Sequence, residues 1–161
     1  MSRAQEIAQW VLSWGGQAGI ALAPDANGHF SFVAEGLPIR VSMETEIASS
    51  VVAALLQEKS LAASPQAMRT LLEFAHLGVV SQRCGVSLSE DGRPVLWLWL
   101  DWAGLDAAGL ANTLNGFVAV ATAAHQQLAD ADHTSGGLKP EELVKDDWMS
   151  EFGPLSGALR V

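Results

Sequence analysis

The stretch CGVSLSEDGRPVLWLWLD, residues 84–101, decides the fold. Asp91-Gly92 at its centre is a two-residue turn signal, because both residue types tolerate the positive φ that a tight hairpin demands. Cys84 to Ser89 and Pro94 to Asp101 therefore read as paired antiparallel strands. The second strand is unusual. Along Val95-Leu96-Trp97-Leu98-Trp99-Leu100, residues 95, 97 and 99 point one way and 96, 98 and 100 the other, so both faces are apolar. An antiparallel sheet ordinarily has one packed face and one wet face. Two readings account for this strand: helices cover it on both sides, or one face is left for a second subunit or a bound partner.

Upstream of the hairpin, Ser64-Pro65 reads as N-cap and first helical residue of a helix to about His76, with Met68, Leu71, Leu72 and Ala75 on one side and Gly78 as its end. Ile47 to Gln57 is ambiguous, since Val51, Val52, Leu55 and Leu56 fit a helical stripe or a buried strand. Pro38 to Glu44 alternates Ile39, Val41 and Met43 with Arg40, Ser42 and Glu44, the pattern of a half-buried strand. His29 to Ala34, in which Phe30, Phe32 and Ala34 alternate with Ser31 and Val33, is predicted to pair with Ile20 to Ala23 across Asn27-Gly28. The chain opens with a helix from Arg3 to Trp14, its stripe Ile7, Trp10, Val11 and Trp14, its cap Ser2 and its stop Gly15-Gly16. Downstream, a last helix from about Asp106 to Leu128 carries Leu110, Leu114, Phe117, Ala121 and Leu128 on one face. The expected architecture is α+β: an antiparallel twisted sheet with three helices in the order α-β-β-β-α-β-β-α. Residues 1–128 form this domain. Residues 129–161 hold seven acids against three bases and are expected to be a partly flexible acidic tail, with Leu143, Val144, Trp148 and Phe152 able to form a short amphipathic helix.

Composition narrows the function. Among 161 residues, 9 Lys plus Arg face 18 Asp plus Glu, a net charge of −9. Phosphate binding needs clustered cations, so nucleic acid and anionic membrane surfaces are poor partners. Hydrophobic residues are 49% and charged residues 17%, enough for a core and for surplus apolar surface. Glu6, Gln9 and Gly15-Gly16-Gln17 interrupt any secretory signal, and Asn112, Asn115, His125, Gln126 and Gln127 make a membrane span over Ala107 to Ala129 costly. The single cysteine, Cys84, fits a reducing, cytoplasmic setting.

Signals for catalysis are missing. Gly15-Gly16-x-x-Gly19 follows a helix and precedes a strand, the reverse of what a dinucleotide fingerprint requires. Cys84 has no adjacent base, His29 and His125 have no catalytic partner, and Glu90-Asp91 is turn chemistry. Asp130, Asp132 and His133 supply few metal ligands. No catalytic residue, metal or cofactor is expected. Trp10 and Trp14, one turn apart, are either core or an anchor for another chain, since tryptophan is enriched in binding hot spots.

The order of elements, with Leu71-Leu72-Glu73-Phe74-Ala75 on the middle helix, the 84–98 hairpin, Leu105-Asp106 and the final stripe Leu110, Leu114, Phe117 and Leu128, resembles the Tir-chaperone (CesT-like) family of type III secretion chaperones. The resemblance covers roughly residues 1–128. It departs in the long tail and in the helix-like Ile47 to Gln57. It implies a cytoplasmic homodimer that binds the N-terminal region of a secreted effector, keeps it extended and delivers it to the secretion apparatus, with the secretion ATPase as a further partner. It places Ile7, Trp10, Val11, Trp14, Phe30, Phe32, Trp97 and Trp99 against cargo, and Met68, Leu71, Leu72, Ala75, Val86 and Leu88 at the dimer contact. A module of the same fold outside secretion, such as an immunity or regulatory protein, is the alternative.

Overall fold

The protein is described by a computed structural model covering residues 1–61, 64–76 and 84–134. Three helices and five strands run in the order α1 (Arg3–Gln17), β1 (Phe30–Ala34), β2 (Leu37–Glu44), β3 (Ser49–Leu55), α2 (Pro65–Ala75), β4 (Gly85–Leu88), β5 (Pro94–Asp101) and α3 (Ala107–Thr134). The strands form one antiparallel sheet in the spatial order β1-β2-β3-β5-β4. The central position of β3 resolves the ambiguity of Ile47 to Gln57. A short 3-10 turn at Thr45–Ile47 and the left-handed Ala48 (φ 49°) aim the chain back along β2, and Ser49–Leu55 then pairs with β2 and β5 together. Two ladders of hydrogen bonds outweigh a helical stripe that local propensity alone allows.

Two expectations near the N-terminus are corrected. Gly15-Gly16 does not stop the first helix, which runs to Gln17 and closes with the Ala18 N–H donating to the Trp14 carbonyl at 2.9 Å. Gly15 is buried, and a Cβ there would stand 2.3 Å from Leu22 Cδ1. The missing side chain lets the returning chain cross the helix closely. Ile20 to Ala23 consequently does not form a strand: the Ile20 N–H donates to the Gly15 carbonyl at 2.8 Å, and pairing is limited to a bridge between Pro24 and Phe30. The Asn27-Gly28 turn is held by Asp25, whose Oδ1 accepts from the N–H groups of Asn27 (2.8 Å) and His29 (3.0 Å). The tight hairpin lies one step later, at Glu35-Gly36, where φ is 51° and 79°.

The remaining elements follow their local signals. Ser64 caps α2 by accepting from the Ala67 N–H, and Pro65 stands in the first turn. The predicted stop, Gly78, lies outside the described residues. The Cys84 to Ser89 strand contracts to Gly85–Leu88, whereas Pro94–Asp101 forms over the expected span. Helix α3 extends past Leu128 to Thr134, so the first six residues of the expected tail are helical.

The core lies between α1, α3 and one face of the sheet. Phe30, Phe32, Ile39, Val41, Val52, Ala54, Leu96 and Leu100 face Ile7, Val11, Trp14, Leu110, Leu114, Phe117, Ala121 and Leu128. The Trp14 and Phe32 rings are 5.4 Å apart, and Trp14 Nε1 donates to Asn115 Oδ1 at 2.9 Å. His125 Nδ1 lies 2.6 Å from the Leu56 carbonyl, tying the far end of α3 to the end of β3. Helix α2 packs against α3 and β4. Helix α3 is long and apolar enough by composition to cross a bilayer over Ala107–Asp132, but its stripe is buried against the sheet and α1.

Candidate functional site

The opposite face of the sheet is where apolar side chains remain exposed. Alternation along β5 sends Leu96, Leu98 and Leu100 inward and Val95, Trp97 and Trp99 outward, and the neighbouring strands continue the outer row. Val51 stands beside Trp99, Ala53 beside Trp97 and Leu55 beside Val95. Beyond them lie Arg40 and Ser31 in register with Ala53, and Val33 paired with Pro38. Trp99 is 50% exposed, Trp97 37% and Val33 63%. Gly85 is half-buried beneath Trp97, whose Cζ2 would stand 2.3 Å from a Cβ on that residue. The indole therefore lies flat across β4, presenting one broad face outward. Val33, Pro38, Arg40, Ala53, Leu55 and Val95 line a shallow hollow of about 510 Å³ on the same side.

A second apolar hollow, about 650 Å³, lies along α2 between Pro65, Met68, Arg69, Leu72, Glu73 and His76. Leu72 is 60% exposed there. Its neighbour Leu71 turns the other way and is buried with Phe74. The helical stripe thus divides: Leu71 holds α2 to the core, Leu72 faces outward, and Met68, half-buried, packs against the core while lining the hollow.

These positions sort the candidate residues. Ile7, Val11, Trp14, Phe30 and Phe32 are core, each at most 8% exposed, and present little surface to another chain. Trp10 is half-buried under the Arg3 guanidinium, 4.9 Å from its ring centre. Arg3 also donates to the carbonyls of Trp102 (2.9 Å) and Leu105, pinning α1 to the loop before α3. Trp97 and Trp99 share the outer sheet face. In the second set, Met68 and Leu72 share the α2 hollow, Ala75 and Val86 are half-buried, and Leu88 is exposed on β4. The outer residues Val33, Val51, Leu55 and Val95 were not among the candidate site residues, although the alternation that put 95, 97 and 99 on one face was the signal that finds them.

Among the described residues, no three His, Cys, Asp or Glu side chains converge as a metal site. Cys84 is buried in the core cluster that holds Phe117 and Val120, and desolvation pushes its thiol up to about 11, so it is protonated at neutral pH. What the surface offers is apolar area and sheet edges, the means of holding another chain.

The model of the Tir chaperone protein (CesT) family matches residues 5–125, which take in most of α1, all of β1 to β5 and α2, and the first two thirds of α3. The chain belongs to this family. The same fold recurs in solved structures. The chain superposes on the HopA1–SchA chaperone–effector complex with a TM-score of 0.61 and 13% identity, covering 76% of this chain and 95% of that one. The ExsC–ExsE complex gives 0.65 and 16%, with 80% and 97% covered. The Yersinia pestis type III secretion chaperone SycH, in complex with a stable fragment of YscM2, gives 0.53 and 16%, with 72% and 97% covered. No curated protein matches the chain. Membership of the Tir chaperone family agrees with a surface organised for binding.

Proposed function

We propose that this protein is a type III secretion chaperone that binds the N-terminal region of one or more effectors in the bacterial cytoplasm, keeps that region extended and delivers it to the secretion apparatus and its ATPase. The observation that carries this reading is the exposed aromatic face built by Trp97 and Trp99 over Val51, Ala53 and Leu55 in a member of the Tir chaperone family. An extended segment laid on such a face contributes apolar anchors, and a large wrapped contact offsets the cost of ordering it. The negative charge of the chain favours effector segments that are basic or neutral. Cargo contact is assigned to Trp97, Trp99 and the open edge of Trp10. The dimer contact is assigned to Met68 and Leu72 on α2, with Leu88 on β4.

The reading is tested by co-purification from the native host with wild-type protein and with the Trp97→Ala/Trp99→Ala pair. An effector retained by the wild type and lost by the pair, with unchanged melting behaviour, supports it; equal recovery with both removes the outer face from cargo binding. Light scattering after size exclusion checks the dimer. The wild type is expected at the mass of two chains and Leu72→Glu at the mass of one. A monomeric wild type would remove the dimer from the proposal.

A further inference from the structure

At one end of the outer face, Glu44, Ser49 and Asp101 form a single row across three strands. Glu44 pairs with Ser49 across β2 and β3, and Ser49 pairs with Asp101 across β3 and β5. Adjacent strands are separated by about 4.8 Å, so the two acidic Cα atoms lie about 10 Å apart on either side of a small residue. Both acids are exposed, and among the described residues neither has a basic partner within ion-pair distance. Asp101 Oδ1 accepts from the Ala103 N–H at 2.9 Å, which leaves Oδ2 open. Ser49 is the unexpected member. It is 2% exposed, and its Oγ has no hydrogen-bond partner. A buried hydroxyl left unpaired is costly, and it lies between two carboxylates that lack a cation. Trp99, two residues before Asp101, flanks the row on the apolar side together with Val51.

We propose that this row is a notch for an arginine side chain of the bound effector segment. The proposal rests on the outer face being the cargo surface and names the chemistry that one end of that surface selects. A guanidinium suits the notch better than an ammonium. Its planar fork carries five N–H donors, enough to donate to Glu44 on one side, to Asp101 on the other and to Ser49 Oγ between them. Its flat face stacks on Trp99. The aliphatic stem and an adjacent apolar residue of the cargo lie over Val51 and Trp99, so the preferred segment carries an arginine next to apolar residues.

The test uses the full chain labelled with ¹⁵N and three acetylated peptides, Leu-Xaa-Leu-Ser-Leu amide with arginine, citrulline or lysine at Xaa. The arginine peptide is expected to shift the Trp99 indole and Ser49 amide signals and to bind about tenfold more tightly than the citrulline peptide, with lysine between them. The pair Glu44→Gln/Asp101→Asn should erase that preference and its salt dependence, while Glu46→Gln in the neighbouring turn leaves both unchanged. Equal binding of the arginine and citrulline peptides overturns the proposal, as does equal binding of arginine and lysine. Calcium chloride alone producing the same shifts would make the row an ion site and overturn it too. Effector co-purification separates this from the underlying reading. Failure to recover any effector with the wild type defeats the chaperone reading, whereas recovery with no arginine preference defeats only the notch.

Discussion

The two faces of β5 differ in what covers them. On one, Leu96 and Leu100 are closed over by the core, and Leu98 packs at its margin. On the other, Trp97 and Trp99 remain 37% and 50% exposed and Val95 half-buried, beside their partners on β3 and β4. The sequence is equally apolar on both sides, so hydrophobicity does not decide which side is core. The helices decide it. Among the described residues, α1 and α3 turn their buried stripes to the same face of the sheet and α2 packs against α3 and β4, which leaves the other face without a helix. The described residues therefore present one finished interface and one unfinished one, and the unfinished face is the candidate for binding.

The comparison is broken most severely from the inside. Phe30 is fully buried on β1, and Phe30→Ala is expected to cost about 3–5 kcal/mol, read as a loss of urea midpoint. Trp14→Phe keeps an aromatic ring but removes the rest of the buried indole and its hydrogen bond from Nε1 to Asn115, with an expected cost of about 2 kcal/mol. The same experiment on the outer face should look different. Trp99→Ser is expected to change stability by no more than about 0.5 kcal/mol, because half of the ring is already in water, while reducing effector recovery sharply. A large loss of stability in Trp99→Ser would mean that the outer face is covered in the free protein. Gly85→Ala sharpens the contrast: its methyl group displaces the Trp97 indole from its flat position, so effector binding should fall more than the urea midpoint.

Much of this division was legible in the sequence, and the illegible parts have identifiable causes. The β4–β5 hairpin, the Ser64-Pro65 start of α2 and the stripe of α3 are local signals, and each formed where the residues placed it. Apolarity on both sides of β5 was equally plain. What one chain of residues could not show was which face the helices choose, since that depends on how α1 and α3 pack together. The fate of Ile7, Val11, Trp14, Phe30 and Phe32 followed from that choice. Gly15-Gly16 misled for a related reason: the first glycine serves the close crossing of Leu22 over α1, a contact seven residues away, rather than a helix stop. Ser49 was invisible as a functional residue because its meaning comes from Glu44 and Asp101 on two other strands.

Cys84 provides the smallest test, and it reports on whether the inner side stays dry. It stands at the entrance to β4, 6% exposed, in the core cluster that holds Leu100, Phe117 and Val120. Burial raises the thiol from 9.0 to about 11, because the thiolate loses its water there. The sign follows from proton binding. Between these two values the unfolded chain has released the thiol proton and the folded chain has kept it, so the unfolded state binds fewer protons and stability falls as pH rises. The contribution is complete below pH 9.0 and is lost by about pH 11. Urea melts of wild type and Cys84→Ala are expected to run parallel at pH 7–8 and to diverge from pH 9 upward, the wild type losing stability more steeply. Identical slopes in both proteins would mean that water reaches Cys84 from the open edge of β4. The boundary between the finished and unfinished faces would then run through the β4 edge rather than along the plane of the sheet.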